Sequence, residues 1–230
     1  MVASALFRIS ADRQFFLDIA PEGDRIAHAR RVAEAPAAPE IITDQRWPFL
    51  LCPSELRHPE ADVQYWRIVF GKRPRALRHY HDPFLHLDIL FDAPAGFDGR
   101  PVPFAAPLIQ GLLWHIRRDG RAGTAAVQYD GTLWLAVADE AGTLLFVQRF
   151  DIGDSLEYYL ALTRHIMPDG KGLLYAGGDL TAEAVRADHP RLQSIYAEVM
   201  PFGSDNWWAG ALQGVDSALR PYGALLLCAL

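Results

Sequence analysis

The chain has few cysteines and no long apolar run, and each shortage excludes a class of protein. Its 230 residues include two cysteines, Cys52 and Cys228, and each lies inside an apolar stretch. Free cysteine is among the most buried residue types, so we expect two core thiols in a reducing compartment, with a single disulfide between them left open. The longest apolar run is the eight-residue GALLLCAL. A membrane-spanning helix needs about twenty residues, so none is predicted.

The chain also lacks an excess of basic residues. It carries 22 Lys and Arg against 28 Asp and Glu, a formal net charge of −6. Nucleic-acid binders cluster Lys and Arg to displace counterions, so this balance argues against nucleic acid as a partner. The N-terminal MVASALFRIS has no basic region, and Arg8 interrupts its apolar stretch, so we expect no signal peptide. Together these features predict a cytoplasmic protein.

The catalytic motifs that can be recognised from sequence alone are missing. Neither Gly-x-Gly-x-x-Gly, nor the P-loop pattern, nor Gly-x-Ser-x-Gly occurs, so nothing supports dinucleotide, P-loop or α/β-hydrolase chemistry. Half of the residues are hydrophobic, and the length suffices for one large domain or two small ones. Without a complete catalytic constellation, the sequence favours a protein that is not an enzyme.

Hydrophobic periodicity predicts an α/β protein in two parts. In the first half, short apolar runs predict strands at 5–10, 15–20, 25–33, 40–43, 48–52 and 85–91, and helical spacing predicts a helix at 62–70. The Pro- and Gly-rich stretch 93–103 is the predicted boundary, and an amphipathic helix follows it over 104–118. This places a first lobe at 1–103 and a second at 104–230, with residues 104–121 as the connector.

The second half has the clearer pattern. Strands at 125–129 and 133–137 flank Asp130-Gly131, and Asp-Gly favours a tight hairpin because both central residues of that turn need positive φ. A third strand at 143–150 completes an antiparallel meander, and Asp151 is expected to open a helix. The strand over 172–176 then ends in Gly177-Gly178. A strand within 192–201 and a helix over 207–219 are predicted to follow.

This order of elements resembles the actin-like ATPase (ribonuclease H-like) fold. LLYAGGDL, residues 173–180, is similar to the adenosine motif of that superfamily, and FVQRFDIGDSLEYYL, residues 146–160, is similar to the strand-to-helix passage of its pilus-assembly members. The whole chain more closely resembles a bacterial domain-of-unknown-function family assigned to this fold, on ITDQRWPFLLCPSEL, LLYAGGDL and RPYGALLLCAL. The resemblance implies two lobes, each a mixed sheet with an antiparallel meander and flanking helices, with ATP between them.

The resemblance also implies where a nucleotide would bind. Gly177 and Gly178 would let the backbone approach the purine, whereas Asp12 and the pair Asp130-Gly131 would serve Mg²⁺ and phosphate. The turn that carries Asp12, residues 10–14, contains no glycine, so its backbone cannot approach phosphate as closely. A tight hairpin by itself explains Asp130 and Gly131. Because phosphoryl transfer depends on electrostatic stabilisation at these turns, we expect the fold without the reaction.

Two further groups of residues are candidates for a site. Five residues of types that bind metals lie in the segment HYHDPFLHLD: His79, His81, Asp82, His86 and Asp88. A His-x-His pair on a strand points both rings to one face, which is an arrangement that zinc sites can use. The competing interpretation is a set of surface and loop histidines before a strand.

Trp207 and Trp208 form the second group. Adjacent residues of a helix face different directions, so we expect one indole in the core and the other exposed as an interface anchor, or else lining a groove or the core.

The sequence therefore predicts a non-catalytic actin-like protein that works through a protein partner, or through a ligand that it binds without turnover. The first alternative is a nucleotide-dependent ATPase or kinase of the same superfamily, with ATP and Mg²⁺. The second alternative is a metal-dependent enzyme that uses the segment 79–86. No resident cofactor or metal is predicted, and a homodimer is left open.

Overall fold

The structure is a computed structural model of the chain, and the description covers residues 4–20, 25–34, 39–82, 85–96, 99–151, 156–163, 165–167, 172–208, 219–221 and 223–224. The chain divides into two units, Met1–Gly23 with His28–Ala106 and Asp24–Ala27 with Pro107–Leu230. The lobe boundary after residue 103 stays a prediction. In the described part of the chain, no helix has the length and apolar character needed to cross a membrane.

A mixed five-stranded sheet forms the base of the first unit. Its strands are β1 (Ser4–Arg8), β2 (Gln14–Ile19), β3 (Ile26–Val32), whose first two residues belong to the second unit, β4 (Ile41–Asp44) and β8 (Arg100–Pro101). Their order across the sheet is β3-β2-β1-β4-β8, with β1 antiparallel to β2 and parallel to β4. Leu6 and Phe16 pair directly across β1 and β2 and join Ile42 and Phe91 in one apolar cluster. Burial of both sheet faces explains why β1, β2 and β4 are mostly apolar, whereas the edge strand β3 is largely polar and exposed.

A second, antiparallel sheet in the first unit has the order β5-β7-β6. Its strands are β5 (Phe49–Pro53), β6 (Leu77–Asp82) and β7 (Leu87–Asp92), and helix α1 (Asp62–Phe70) lies between β5 and β6 in the chain. The helix ends at Gly71, whose φ of +67° suits glycine, and its Trp66 is fully buried against Phe70. Helix α1 matches the prediction residue for residue.

The second unit has one five-stranded sheet with the order β11-β10-β9-β12-β13. Its elements are α2 (Ala105–Asp119), whose first two residues belong to the first unit, β9 (Gly123–Tyr129), β10 (Thr132–Ala138), β11 (Leu144–Asp151), α3 (Leu156–Thr163), β12 (Leu173–Gly178), α4 (Ala182–Asp188) and β13 (Glu198–Pro201). Strands β9, β10 and β11 form the predicted antiparallel meander, and β12 joins β9 in parallel. The connection from β11 to β12 contains α3. It carries the chain from the edge of the sheet, across β10 and β9, to the position where β12 pairs with β9 in parallel.

Several predicted features differ from the structure. Asp151 is the last residue of β11 rather than the start of a helix. The helix expected from Trp207 is also wrong where the structure describes it, because Trp207 ends a single 3₁₀ turn and Trp208 is extended, while residues 209–218 lie outside the description. Cys52 is half-buried on β5 rather than a core thiol, since β5 is an edge strand, and Cys228 lies outside the described residues.

His115 on α2 is a fully buried histidine in an aromatic cluster of the second unit. Its ring stacks on Tyr175 at 4.4 Å between centroids and contacts Trp114 and Phe202. Nε2 accepts a hydrogen bond from the amide of Gly203 at 3.1 Å, so the ring is neutral with its proton on Nδ1. Burial, together with the positive charge of Arg118, outweighs the opposing charge of Asp119 and lowers the pKa of His115 to about 3.

This buried imidazole should make the protein acid-sensitive. Below about pH 6.5, His115 binds a proton in the unfolded state but not in the folded state. The free energy of unfolding therefore falls as the pH drops from about 6.5 toward 3. We expect His115 to account for a loss of about 2 kcal/mol between pH 7 and pH 5. Urea unfolding of His115→Gln, which keeps an acceptor for Gly203, should show a flatter pH dependence than the wild type. The exposed His28→Gln should retain the full dependence, and a His115→Gln curve parallel to the wild type would contradict the assignment.

Candidate functional site

The Gly177-Gly178 turn lies at the carboxyl end of β12, where this strand runs beside β9. Gly178 has a φ of +76°, and a Cβ added to it would lie 2.2 Å from the carbonyl oxygen of Gln128. A Cβ on Gly177 would lie 2.8 Å from Cγ of Pro221 and 3.0 Å from Cβ of Phe202. Both glycines are therefore required by packing within the second unit, whether or not a purine approaches them.

A cavity of about 220 Å³ opens beside this turn. Its lining includes Gly177, Gly178, Leu180, Thr181, Phe202 and Arg220, all in the second unit. Pockets for drug-sized ligands hold roughly 300–1,000 Å³, so this one is smaller than a site for a whole nucleotide. The predicted purine residues thus border a cavity, while their role in binding a nucleotide stays a prediction.

The Asp130-Gly131 turn is the predicted tight hairpin. Asp130 has a φ of +47° and Gly131 a φ of +76°, as a turn with two central residues in the left-handed region requires. The backbone amide of Asp130 donates a hydrogen bond to Oδ2 of Asp179 at 3.0 Å, and the amide of Asp179 donates to the carbonyl of Gln128 at 2.8 Å. A carboxylate from the segment after Gly178 therefore holds the amide of this turn.

The first turn, residues 10–14, is closed by backbone hydrogen bonds to the carbonyl of Arg13. The amides of Ile9 and Ser10 both donate to the carbonyl of Arg13, at 2.9 and 3.1 Å. Asp12 is exposed, and its carbonyl accepts a hydrogen bond from Arg31 at 2.8 Å. A role of Asp12 in binding metal or phosphate stays a prediction, because no geometry at this turn brings other ligand atoms to its carboxylate among the described residues.

Trp207 and Trp208 are both buried, each with 5% of its surface exposed. Trp207 packs edge-on against Trp114 at 5.4 Å, and a Cβ on Gly223 would lie 2.5 Å from its ring. The alternative that places the indoles in the core is therefore confirmed, and the alternative that exposes one of them as an interface anchor is wrong. The chain leaves the 3₁₀ turn after Trp207, so the directions of the two side chains do not follow helical spacing. An interface role for either stays a prediction.

The histidine segment supplies a compact polar cluster in the first unit. His81 on β6 lies directly opposite Asp88 on β7, and His79 is two residues away on the same face of β6. Oδ1 of Asp88 contacts Nε2 of His79 and lies 3.1 Å from Nδ1 of His81. Arg57 lies beside them, with Nη1 at 2.7 Å from Nε2 of His79. Three of the five predicted candidates thus meet at one point.

The other two candidates lie outside this cluster. His86 is exposed at a φ of +48°, in the turn between β6 and β7, and its carbonyl accepts from the amide of Ser54 at 2.8 Å. Asp82 is buried at the end of β6, where its carboxylate accepts from the amide of Leu85 at 3.2 Å. Both residues therefore shape the turn.

Electrostatics set the protonation of the cluster. Burial raises the pKa of Asp88, but hydrogen bonds from His79, Ser54 and His81 outweigh it and hold that pKa below the ordinary carboxyl value. Burial and the negative charge of Asp88 raise the pKa of Cys52, so this thiol is protonated at neutral pH and is a poor nucleophile. The cluster thus offers an ionised carboxylate and two imidazoles.

Sequence reasoning missed three participants in these arrangements. Arg57 and Ser54 lie more than twenty residues before the histidines, and nothing in their local pattern indicates contact with β6. The carboxylate of Asp179 follows the paired glycines immediately, but its partner is 49 residues earlier in the chain. Contacts of this kind depend on the pairing of strands, which a local pattern does not specify.

The sheets, their orders and the meander of the second unit define the actin-like ATPase fold. The first of the similar solved structures is a Bacteroides thetaiotaomicron protein with an actin-like ATPase fold and unknown function; it is 15% identical over 98% of this chain and 96% of its own, with a TM-score of 0.72. The second is a chain of the PilM–PilN type IV pilus biogenesis complex, 11% identical over 99% and 97%, with a TM-score of 0.60. No family model and no curated protein matches the chain. At these identities the likeness is one of fold.

Replacement of Gly178 tests whether the close approach of β12 to β9 is structural. Gly178→Ala would combine positive-φ strain with overlap against the backbone of Gln128, so we expect a loss of roughly 2–5 kcal/mol in urea unfolding. Gly120→Ala is the matched control, because its φ of +64° is similar but nothing lies within 4 Å of the added Cβ. It should lose only about 1–2 kcal/mol. Equal losses in the two variants would contradict a packing requirement at Gly178.

Proposed function

We propose that this chain is a non-catalytic actin-like protein that acts by binding a protein partner, or a ligand that it does not turn over. The hydrogen bond from the amide of Asp130 to the carboxylate of Asp179 carries the proposal. The resemblance implies that this turn holds phosphate through its backbone amides. Here that amide already has an anionic partner from the same unit.

A phosphate at this turn would meet two costs. It would have to replace Asp179 as the acceptor for the amide of Asp130, and it would approach a negative charge. Asp179 is exposed, so solvent screens this repulsion, and two like unit charges about 4 Å apart repel by only about 1 kcal/mol in bulk water. A bound Mg²⁺ would offset part of this repulsion. The arrangement therefore disfavours tight binding of a triphosphate at this turn.

The first turn adds independent support. The amides of Ile9 and Ser10 are both taken by the carbonyl of Arg13, and the turn has no glycine that would open its backbone to a phosphate. Catalysis of phosphoryl transfer depends largely on electrostatic stabilisation of the phosphates. Because amides of both turns already have acceptors within the chain, fewer of them are open to stabilise a phosphate.

A protein partner is supported by exposed apolar side chains in the first unit. Leu56, Val63, Ile68 and Val69 are between 44% and 79% exposed, and all lie on or just before α1. Ile68 and Val69 are neighbours on α1, and contiguous exposed apolar surface is typical of protein contact sites. One of the solved chains with the same fold comes from the PilM–PilN complex, in which it is assembled with another protein. We carry that mode of action over to this chain as part of the proposal.

The absence of turnover can be tested directly. We expect purified protein with Mg-ATP to release phosphate at no more than the rate of buffer. Asp12→Asn and Asp130→Asn are the controls, because either carboxylate would be needed by an ATPase of this fold. Phosphate release by the wild type that falls in either variant would overturn the proposal, whereas release at an equal rate in all three proteins would indicate a contaminating enzyme.

The cavity beside Gly177 and Gly178 favours one second candidate, the binding of a nucleoside without chemistry. A ligand at one hundred times its dissociation constant stabilises the folded state by about 2.7 kcal/mol. If the cavity accepts a base while Asp179 repels phosphate, adenosine should raise the melting temperature at least as much as Mg-ATP does. Asp179→Asn, which keeps the hydrogen-bond acceptor and removes the charge, should then bind Mg-ATP more tightly. No shift with either compound at millimolar concentration would remove nucleosides as ligands.

The contact surface on α1 can be tested first with a second copy of the chain. Ile68→Lys and Val69→Lys should lower any self-association seen by sedimentation velocity, because each adds a charge to an apolar contact. Leu145→Lys, at an exposed apolar position of the second unit, is the matched control and should leave association unchanged. A wild-type chain that stays monomeric at high concentration would exclude a second copy as the partner.

A further inference from the structure

Three metal-ligating atoms converge on one point between β6 and β7. His79, His81 and Asp88 each place one ligand atom within 4.8 Å of the other two, and Nε2 of His79 and Nδ1 of His81 both face Oδ1 of Asp88. Strand geometry explains this convergence. His79 and His81 are two residues apart and therefore lie on the same face of β6, and Asp88 is the direct cross-strand partner of His81. Because these residues share one antiparallel pair, a rigid element holds all three ligand atoms.

No placement of protons satisfies every polar contact of this cluster. Nε2 of His79 faces Oδ1 of Asp88, which only accepts, and also Nη1 of Arg57 at 2.7 Å, which only donates. One ring nitrogen carries either a proton or a lone pair, so it can serve only one of these neighbours. If Nε2 carries a proton, two donors face each other at the guanidinium. If Nε2 carries a lone pair, two acceptors face each other at the carboxylate. A cation placed among the three ligand atoms would be bound by the lone pairs of Nε2 and Oδ1 together, which removes the conflict between the ring and the carboxylate but not the one with Arg57.

The burial of the ligands also suits an ion. The side chain of Asp88 is 6% exposed and fixed by its neighbours, whereas the side chains of His79 and His81 are 36% and 47% exposed. The carboxylate therefore supplies a fixed negative charge, and the two rings can adjust to the bond lengths of about 2.0–2.2 Å that zinc requires. Their exposure gives an ion a path from solvent.

We propose that His79, His81 and Asp88 bind a divalent transition-metal ion, best represented by Zn²⁺, with one coordination position open. Two imidazole nitrogens and one carboxylate oxygen form a ligand set of intermediate softness, which suits Zn²⁺ and does not suit Mg²⁺ or Ca²⁺. Cys52 lies opposite Asp88 on β5, in the same cross-strand row, but its sulfur is outside the group of converging atoms. The site is independent of whether the second unit binds a nucleoside.

Arg57 opposes the ion. Its Nε and Nη2 are held by the carboxylate of Asp62, with Nη2 at 2.7 Å from Oδ2, so its charge stays close to the site. Nη1 lies 2.7 Å from the ligand nitrogen of His79 and 3.7 Å from Oδ1 of Asp88. An ion at this point would repel the guanidinium, so Arg57 lowers the affinity and its removal should raise it.

Zinc titration of the chelator-treated full chain tests the assignment. Calorimetry should show one Zn²⁺ per chain, and Co²⁺ should bind at the same stoichiometry, whereas Mg²⁺ and Ca²⁺ should not bind. His79→Gln and Asp88→Asn should each weaken binding by at least about ten-fold. His86→Asn is the matched control, since it removes an exposed histidine of the same segment and keeps a residue that tolerates positive φ. Cys52→Ser should also bind as the wild type does.

Two readouts keep the test independent of variants that fail to fold. Zn²⁺ should raise the melting temperature of the wild type in a concentration-dependent way, and Arg57→Gln should bind Zn²⁺ more tightly than the wild type. No stoichiometric binding to the wild type would overturn the proposal, and so would Asp88→Asn binding with unchanged affinity. Loss of binding in Cys52→Ser would overturn the three-ligand assignment, and weaker binding in Arg57→Gln would overturn the assignment of His79 as a ligand.

Discussion

The turn that follows β12 depends on the close approach of this strand to β9. Gly178 lies where any side chain would overlap the carbonyl of Gln128, and the next residue, Asp179, binds that same carbonyl through its amide. The carboxylate of Asp179 then holds the amide of Asp130. Two features that could indicate a nucleotide site, a paired glycine and an Asp-Gly turn, are therefore parts of one internally bonded structure, and packing alone is sufficient reason for both.

Under the proposed function, this chain keeps the fold without the phosphate chemistry. The sheets, their strand orders and the crossover depend on apolar burial, which tolerates wide changes of sequence at 15% and 11% identity to the solved structures. Phosphate binding depends instead on a few open backbone amides. In the first unit, the segment from β5 to β7 carries both the exposed apolar side chains of α1 and the convergent His79, His81 and Asp88.

Local patterns predicted the meander, the Asp130-Gly131 hairpin, α1 and the end of β12, because periodicity and turn chemistry act over a few residues. The same patterns failed where the chain changes conformation within two residues. Helical spacing was assumed after Trp207, yet the chain forms one 3₁₀ turn there and then extends, so both indoles are buried. Apolar neighbours predicted a core thiol at Cys52, but an edge strand leaves it half-buried.

The sequence by itself determined α1, α2 and the meander of the second unit, the turns that require glycine, and the residue types that qualify as candidate ligands. Only the tertiary structure decided which polar groups meet. It placed Asp88, rather than Asp82 or His86, with His79 and His81, and it brought Arg57 to the same point. The physical reason is that strand register fixes which side chains share a face across a sheet, and register depends on contacts between distant parts of the chain.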